Sequence, residues 1–117
     1  MGTDALGHLE RGTAFKVDGN YDSATQELRA AIALEPALAA AHHQLGLVLG
    51  FTGEFDDSLS ELQIAVDLAP ESVQILIDLA KTQAMLGFYD EAKAAFVRAL
   101  GMDPGNDAAK KNLAFLE

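Results

Sequence analysis

The 117-residue chain has no cysteine, few basic residues and only three prolines. The absence of cysteine excludes a disulfide framework, a thiolate metal site and a cysteine nucleophile, and it fits a reducing compartment. Eight lysines and arginines against eighteen aspartates and glutamates give a formal net charge of −10. Because a negative surface repels phosphate backbones and anionic headgroups, we expect neither nucleic acid nor a membrane as partner.

The chain also lacks a targeting signal and a convincing membrane span. Its start, Met1 to Asp4, has no basic residue and no apolar run follows, so we predict no signal peptide and a cytoplasmic location. Residues 36–53 contain no charge, a length that approaches a membrane helix. His42, His43 and Gln44 interrupt this stretch, and we therefore predict a buried helix there.

The few prolines are the most informative residues, because they recur every 34 positions, at Pro36, Pro70 and Pro104. Glycine and aspartate recur with the same step, and so does an aromatic residue two positions after each glycine. These are Gly19, Gly53 and Gly87; Asp22, Asp56 and Asp90; and Tyr21, Phe55 and Tyr89. A fixed period of this length indicates one helix–turn–helix unit copied three times.

Apolar residues follow helical spacing throughout, and strand patterns are absent. The sequence thus predicts an all-α solenoid of about seven helices within one domain spanning 1–117. Its units cover about 5–36, 37–70 and 71–104, and a capping helix covers about 106–117. Each aspartate of the periodic set should lie in the first turn of a second helix, where an acid complements the helix dipole.

Within each unit, a set of small and apolar residues completes a known signature. The middle unit carries His42, Leu45, Gly46, Leu49, Ser58, Leu62, Ala65 and Pro70, and the other two units carry matching residues in register. This pattern resembles the tetratricopeptide repeat family, over essentially the whole chain. The resemblance implies a right-handed superhelix whose first helices line a concave groove for a segment of another protein.

Two positions depart from the family pattern. Arg11 stands at a normally apolar position of the first unit, where we expect partial exposure. Gln83 replaces an aromatic or apolar residue of the third unit, where it should loosen the packing.

Carrying the family's groove positions onto this chain gives a candidate binding surface. It comprises Leu9, Thr13, Lys16, His43, Leu47, Phe51, Gln74, Ile77, Lys81 and Met85. This set contains no acid, and its apolar members appear on faces that the core does not need. We therefore expect an apolar or amphipathic partner segment, with an acidic group near Lys16 or Lys81. The alternative is that several of these side chains pack between neighbouring first helices.

One subfamily with this signature grips the terminal carboxylate of chaperone tails with lysine, asparagine and arginine. The matching positions here are Leu9, Thr13, Gln44, Gln74 and Asp78. None of them is a cation, and Asp78 would repel a carboxylate, so binding by that clamp is not expected.

Chemistry beyond binding finds no support in the sequence. His8 and His42 occupy equivalent packing positions and His43 has no ligand partner at helical spacing, so we predict neither a metal site nor a cofactor. Paired acids such as Asp56 and Asp57 fit helix starts, and we predict that the chain is not an enzyme. Residues 37–70 carry five acids and no lysine or arginine. These acids form a solvated face, a second docking surface for a basic partner, or an adaptation to a high-salt cytoplasm.

Three functions remain open at this point. The leading one is a protein–protein interaction module. A second is weak self-association into a scaffold, through Phe115 and Leu116 at one end and Leu6 and Leu9 at the other. A third is a substrate-recruiting part of a larger protein.

Overall fold

The computed structural model describes residues 4–117, which form seven α-helices and no strand within that range. The helices are α1 (Ala5–Val17), α2 (Tyr21–Leu34), α3 (Ala39–Phe51), α4 (Phe55–Leu68), α5 (Val73–Met85), α6 (Tyr89–Met102) and α7 (Asp107–Leu116). Loops this short place consecutive helices side by side in antiparallel pairs. The predicted all-α solenoid of helix pairs is confirmed.

The helix starts follow local capping chemistry. The Asp4 carboxylate accepts a hydrogen bond from the Gly7 amide at 2.7 Å and caps α1, and the Asn106 side chain does the same for α7 through the Ala109 amide at 3.0 Å. The three periodic aspartates lie in the first turns of α2, α4 and α6, as predicted. Free backbone amides at these helix ends thus face an oxygen or a negative charge.

The first helices of the second and third units begin at Ala39 and Val73, two residues later than the prolines alone would suggest. The residues before them, Leu38 and Ser72, adopt an extended backbone and serve as N-caps. A turn closed by the Leu38 amide and the Glu35 carbonyl, 3.1 Å apart, occupies the intervening residues. The proline thus belongs to the turn and not to the helix.

The turn within each unit requires glycine. Gly19, Gly53 and Gly87 have φ angles of 78°, 83° and 89°, and they are the only residues in the left-handed region among those that the structure describes. A side chain at these positions would strain the backbone. The period of these glycines therefore reflects one repeated turn geometry.

Close contact between the two helices of a unit depends on small residues. A Cβ added at Gly46 would lie 2.7 Å from Leu62 Cγ, and one at Gly12 would lie 2.7 Å from Leu28 Cγ. The third unit places Ala80 at the equivalent position, opposite Phe96 in place of a leucine, and both side chains are fully buried. Small and large residues are therefore matched unit by unit.

Helix contacts define the inner and outer sides of the solenoid. Helix α1 contacts α3, α3 contacts α5 and α5 contacts α7, whereas the second helices α2, α4 and α6 do not touch one another within residues 4–117. The stack, 47 × 26 × 21 Å in extent, therefore curves with its first helices on the inner face. That face, called the concave surface below, carries the candidate site.

The unusual Arg11 has the partial exposure that was predicted. Its side chain is 42% exposed, and its guanidinium Nε donates to the Glu27 carboxylate at 3.0 Å. The charge at this apolar position is thus compensated by a neighbouring helix.

Candidate binding surface on the concave side

Nine of the ten predicted groove residues are exposed or half-buried, and one is not. Ile77 is only 1% exposed and packs in the core. The view of Ile77 as a residue that the core does not need was wrong, because α5 is enclosed by α3, α4, α6 and α7. Leu9 is half-buried and packs against the core residues of α2 and α3, so part of its surface also serves stability.

An apolar pocket of about 170 Å³ lies between α3, α4 and α5. Leu47, Gly50 and Phe51 line it from α3, and Thr82 and Met85 line it from α5. Phe51 and Met85 are 61% and 60% exposed. What distinguishes these two side chains from other exposed apolar residues is that they border one apolar opening, and contiguous apolar surface of this kind marks interaction sites. The structure therefore brings three of the predicted groove residues together at one opening.

Two contacts hold this pocket in place. The Phe51 ring stacks on Tyr21 with the ring centroids 5.5 Å apart and an angle of 25° between the planes. The buried Ser58 hydroxyl donates to the main-chain carbonyl of Gly46 at 2.7 Å and joins α4 to α3 beneath the pocket. Tyr21 and Ser58 were not among the predicted site residues, although both follow the repeat pattern of the sequence.

A polar network lies beside the pocket and contains an acid. His43 Nε2 lies 2.7 Å from Asp78 Oδ2, and Gln74 Nε2 donates to Asp78 Oδ1 at 3.1 Å. The expectation of an acid-free groove is thus wrong in one respect, because Asp78 neighbours two groove residues. Both oxygens of its carboxylate have a hydrogen-bonding neighbour on the concave surface.

The His43–Asp78 pair was not predicted, because the two residues are not neighbours at the helical spacings of three and four. The two residues are 35 positions apart, one repeat plus one residue, and lie on adjacent first helices. In a solenoid with a 34-residue period, that spacing brings side chains together across neighbouring units. A spacing of one repeat plus one residue is therefore the signal in the sequence for this pair.

Other polar groups of this region lack partners. Among residues 4–117, Lys16 and Lys81 form no ion pair, with Lys16 half-buried and Lys81 exposed. The side-chain oxygen Oε1 of Gln44, one residue after His43, is buried and accepts no hydrogen bond within the described part of the chain. The two lysines, on α1 and α5, are therefore the cations without an ion pair among the predicted groove residues.

The remaining histidines have structural partners. His8 Nδ1 lies 2.8 Å from Glu27 Oε1, and 34 residues later His42 Nδ1 lies 2.7 Å from Glu61 Oε1. His42 Nε2 also donates to the Pro36 carbonyl at 2.7 Å. No three histidine, aspartate or glutamate side chains converge as metal ligands within residues 4–117.

The contact between His8 and Glu27 in the first unit changes the titration of Glu27. The hydrogen bond from His8, together with the contact of Arg11, lowers the pKa of Glu27 below its ordinary value, although burial acts in the opposite direction. The acid partners Glu27 and Glu61 are equivalent residues of successive repeats. Their spacing of 34 residues, which equals that of His8 and His42, is the signal in the sequence for these two contacts.

None of the helices in the described part of the chain combines the length and apolar character that crossing a membrane requires. The uncharged stretch at 36–53 forms a turn followed by α3, which contributes six buried residues. Its apolar side chains thus serve the protein core.

Solved structures with the same helix arrangement include several binding domains. The Arabidopsis OM64 TPR domain superimposes with a TM-score of 0.89 at 22% identity, covering 96% of this chain and 93% of that domain. The first TPR of Spaghetti (RPAP3), bound to the HSP90 peptide SRMEEVD, gives 0.91 at 21% identity and 96% and 89% coverage. The second TPR domain of human RPAP3, in complex with the HSP70 peptide SGPTIEEVD, gives 0.88 at 22% identity and 96% and 93% coverage.

Sequence comparison gives the family directly. No curated protein matches the chain, but a family model of the tetratricopeptide repeat matches residues 43–107, more than half of its length. The matched region covers most of the second unit and all of the third, including the pocket and the polar network. The chain belongs to the tetratricopeptide repeat family.

Proposed function

We propose that the concave surface binds a segment of another protein and takes one apolar side chain into the pocket between Leu47, Phe51 and Met85. The observation that carries this proposal is the joint exposure of Phe51 and Met85 around an apolar opening. Its volume of about 170 Å³ suits a single side chain, because small-molecule sites usually start at about 300 Å³. Met85 can adjust its shape to the entering group.

Two lysines among the predicted groove residues favour an amphipathic segment. Lys16 and Lys81 have no ion-pair partner in the described chain and would attract an acidic group. Such contacts would orient the segment, while the apolar side chain would supply most of the affinity.

The proposed mode differs from a grip on a peptide terminus. The RPAP3 domains hold peptides rich in acids, and the clamp of the chaperone-tail subfamily needs cations that are absent here. Of the matching residues, Asp78 is already engaged by His43 and Gln74. Recognition by this chain would therefore rest on an internal apolar side chain of the partner.

Selection from a random peptide display library tests this proposal. Peptides recovered on the wild-type protein should share a large apolar residue and should lose binding to Phe51→Glu. Phe115→Glu is the matched control, because it makes the same change at a phenylalanine that is 91% exposed outside the pocket. Far-UV circular dichroism checks that both variants are folded. Equal binding to wild type and Phe51→Glu would contradict the proposal.

Binding without catalysis is the activity proposed here. The Thr82 hydroxyl, which lines the pocket, donates to the main-chain carbonyl of Asp78 at 2.9 Å and not to the His43 imidazole, so no base activates it as a nucleophile. The cytoplasmic location stays a prediction, and the recruitment of substrate to a larger protein would use the same surface.

Self-association is a second candidate, favoured by the exposure of Phe115 beside Tyr89 at one end of the stack. Leu6 is 57% exposed at the other end, whereas Leu9 and Leu116 are half-buried. End-to-end contact would therefore rest mainly on Phe115 and Leu6. Sedimentation over a concentration series should show assembly that Phe115→Glu removes. A monomer throughout would exclude it.

A further inference from the structure

His42 is the one titratable side chain that is buried within residues 4–117, with 6% of its surface exposed. Both of its ring nitrogens have a partner. Nδ1 lies 2.7 Å from Glu61 Oε1 on α4, and Nε2 lies 2.7 Å from the main-chain carbonyl oxygen of Pro36, in the turn before α3. The imidazole thus joins the turn between two units to both helices of the second unit.

Both partners of the ring are hydrogen-bond acceptors. A carbonyl oxygen cannot donate, so Nε2 must carry a proton. A further proton is needed between Nδ1 and Glu61 Oε1, because two facing lone pairs at 2.7 Å would repel each other. An ordinary carboxyl group holds its proton less tightly than an imidazole, by about two pH units, so this second proton belongs to Nδ1. The geometry therefore corresponds to a positively charged ring beside an ionised carboxylate.

The other two histidines are arranged differently. His8 Nδ1, besides its carboxylate partner, lies 3.0 Å from Arg11 Nη2, which can only donate. The ring of His43 has one contact within the described chain, from Nε2 to Asp78. Neither ring has an acceptor at each nitrogen among residues 4–117, so the need for two protons is specific to His42.

The charged groups of the other elements packed against α3 do not compete for this ring. Arg29 of α2 is exposed and lines the same depression as Glu61, where it favours the ionised carboxylate. Glu35, in the turn, is exposed to solvent. On α1 and α5, Arg11 and Asp78 have hydrogen-bonded partners of their own. Glu61 is thus the acid that faces the ring from these elements.

We propose that His42 is a pH-dependent joint, a contact whose protonation links the first unit to the second. With both protons, the ring holds the inter-unit turn against α3 and α4. As the pH rises, a histidine ring loses one proton and keeps a single N–H, so one of the two contacts must be released. Ionised Glu61 is the stronger acceptor, because charge-assisted hydrogen bonds are about twice as strong as neutral ones. The neutral ring therefore keeps Glu61 and releases the Pro36 carbonyl.

The released contact lies at the start of α3. The Leu38 amide closes the inter-unit turn on the Glu35 carbonyl, and the carbonyl that the ring holds belongs to Pro36, between these two residues. Helix α3 begins one residue after Leu38, whereas Leu47 and Phe51 line the concave pocket further along the helix. Release of Pro36 should therefore loosen the turn and the first residues of α3, whether or not the pocket binds a partner.

Two-bond ¹H–¹⁵N NMR spectra of the histidine rings test the charge, because they distinguish the imidazolium from each neutral tautomer. Near neutral pH, both ring nitrogens of His42 should be protonated. Beyond about pH 8, the neutral Nδ1–H tautomer should replace the imidazolium. A neutral ring near neutral pH would overturn the proposal, and so would conversion to the Nε2–H tautomer in alkali.

Hydrogen exchange of main-chain amides tests the joint. The protection factor of the Leu38 amide, which is corrected for the intrinsic pH dependence of exchange, should fall about fivefold when the ring becomes neutral, the factor that one net hydrogen bond represents. The Ser72 amide is the internal control. It closes the equivalent turn on the Ala69 carbonyl at 3.0 Å, and Leu76 there takes the place of the histidine. An equal fall at both amides, or none at Leu38, would contradict the joint.

Glu61→Gln and Glu27→Gln form a matched pair of variants. Glutamine keeps an acceptor opposite Nδ1 but carries no charge, so Glu61→Gln should remove the imidazolium signal of His42 near neutral pH. Glu27→Gln makes the same change at the equivalent position of the first unit and should leave that signal unchanged. An imidazolium that persists in Glu61→Gln would refute the proposal.

A double variant removes the joint altogether. His42→Leu with Glu61→Ala gives the second unit the leucine and alanine that the third unit carries at these positions. The protection factor of the Leu38 amide should then no longer change with pH, and a change that persists would show that another group controls the turn. If the double variant fails to fold, the two glutamate variants still decide.

Discussion

Replacement of Gly46 by alanine tests the close packing on which every unit depends. The new Cβ would lie 2.7 Å from Leu62 Cγ, 2.9 Å from Leu62 Cδ2 and 3.3 Å from the Leu62 main-chain nitrogen. The Leu62 side chain is fully buried, so it cannot swing into solvent to relieve the contact. Helix α3 or α4 must shift instead.

The expected magnitude follows from two opposing effects. Overpacking of a filled core costs about 1–3 kcal/mol, whereas glycine to alanine inside a helix returns up to about 1 kcal/mol. We therefore expect Gly46→Ala to lower the free energy of unfolding by about 1–2 kcal/mol. Gly50→Ala in the same helix is the matched control, because its Cβ would meet only Ser58 Oγ at 3.4 Å.

Urea unfolding followed by far-UV circular dichroism measures both variants. A double variant, Gly46→Ala with Leu62→Phe, transfers the alanine–phenylalanine pair of the third unit, where Ala80 and Phe96 pack without exposure. If the pairs are matched unit by unit, the double variant should be more stable than the sum of the single effects predicts, by at least about 0.5 kcal/mol. A Gly46→Ala variant as stable as Gly50→Ala would refute this reasoning.

Three further variants probe the fold. Gly53→Ala should cost about 1–2 kcal/mol, because φ at this turn is +83°; thermal unfolding measures the loss, and no loss would contradict the strained-turn explanation. Ser58→Ala should cost about 1 kcal/mol through the lost hydrogen bond to the Gly46 carbonyl, whereas unchanged urea unfolding would show that the bond is not needed. Glu27→Gln tests the lowered pKa that the His8 hydrogen bond causes. The stabilisation by ionised Glu27 should be complete above the ordinary glutamate pKa and should be lost as pH falls through the lower pKa of the folded state. The free energies of unfolding of wild type and variant should therefore differ near neutral pH and converge in acid. A difference that stays constant with pH would contradict this role of Glu27.

Much of the fold could be predicted because the repeat period encodes the turns and the packing pairs directly. The glycine at +83° and the proline between units recur for local backbone reasons that each unit repeats. The starts of α3 and α5 differed from expectation because residues after Pro36 and Pro70 close a turn before the helix begins. Local capping, and not the period, determines those boundaries.

The candidate site was less predictable, because its contacts cross from one unit to the next. The burial of Ile77 results from neighbouring helices on several sides, which a single-helix pattern does not reveal. The His43–Asp78 pair likewise joins adjacent units. Residues Leu47, Phe51 and Met85 were found from the family positions, but only their placement at one opening identifies a pocket.

Methyl NMR with a peptide selected on the wild-type protein tests the central claim most directly. Titration should shift the methyl signals of Leu47 and Met85, and intermolecular NOEs should connect them to one apolar side chain of the peptide. Shifts confined to methyl groups away from the pocket, such as those of Leu116 at the end of the stack, would contradict binding on the concave surface.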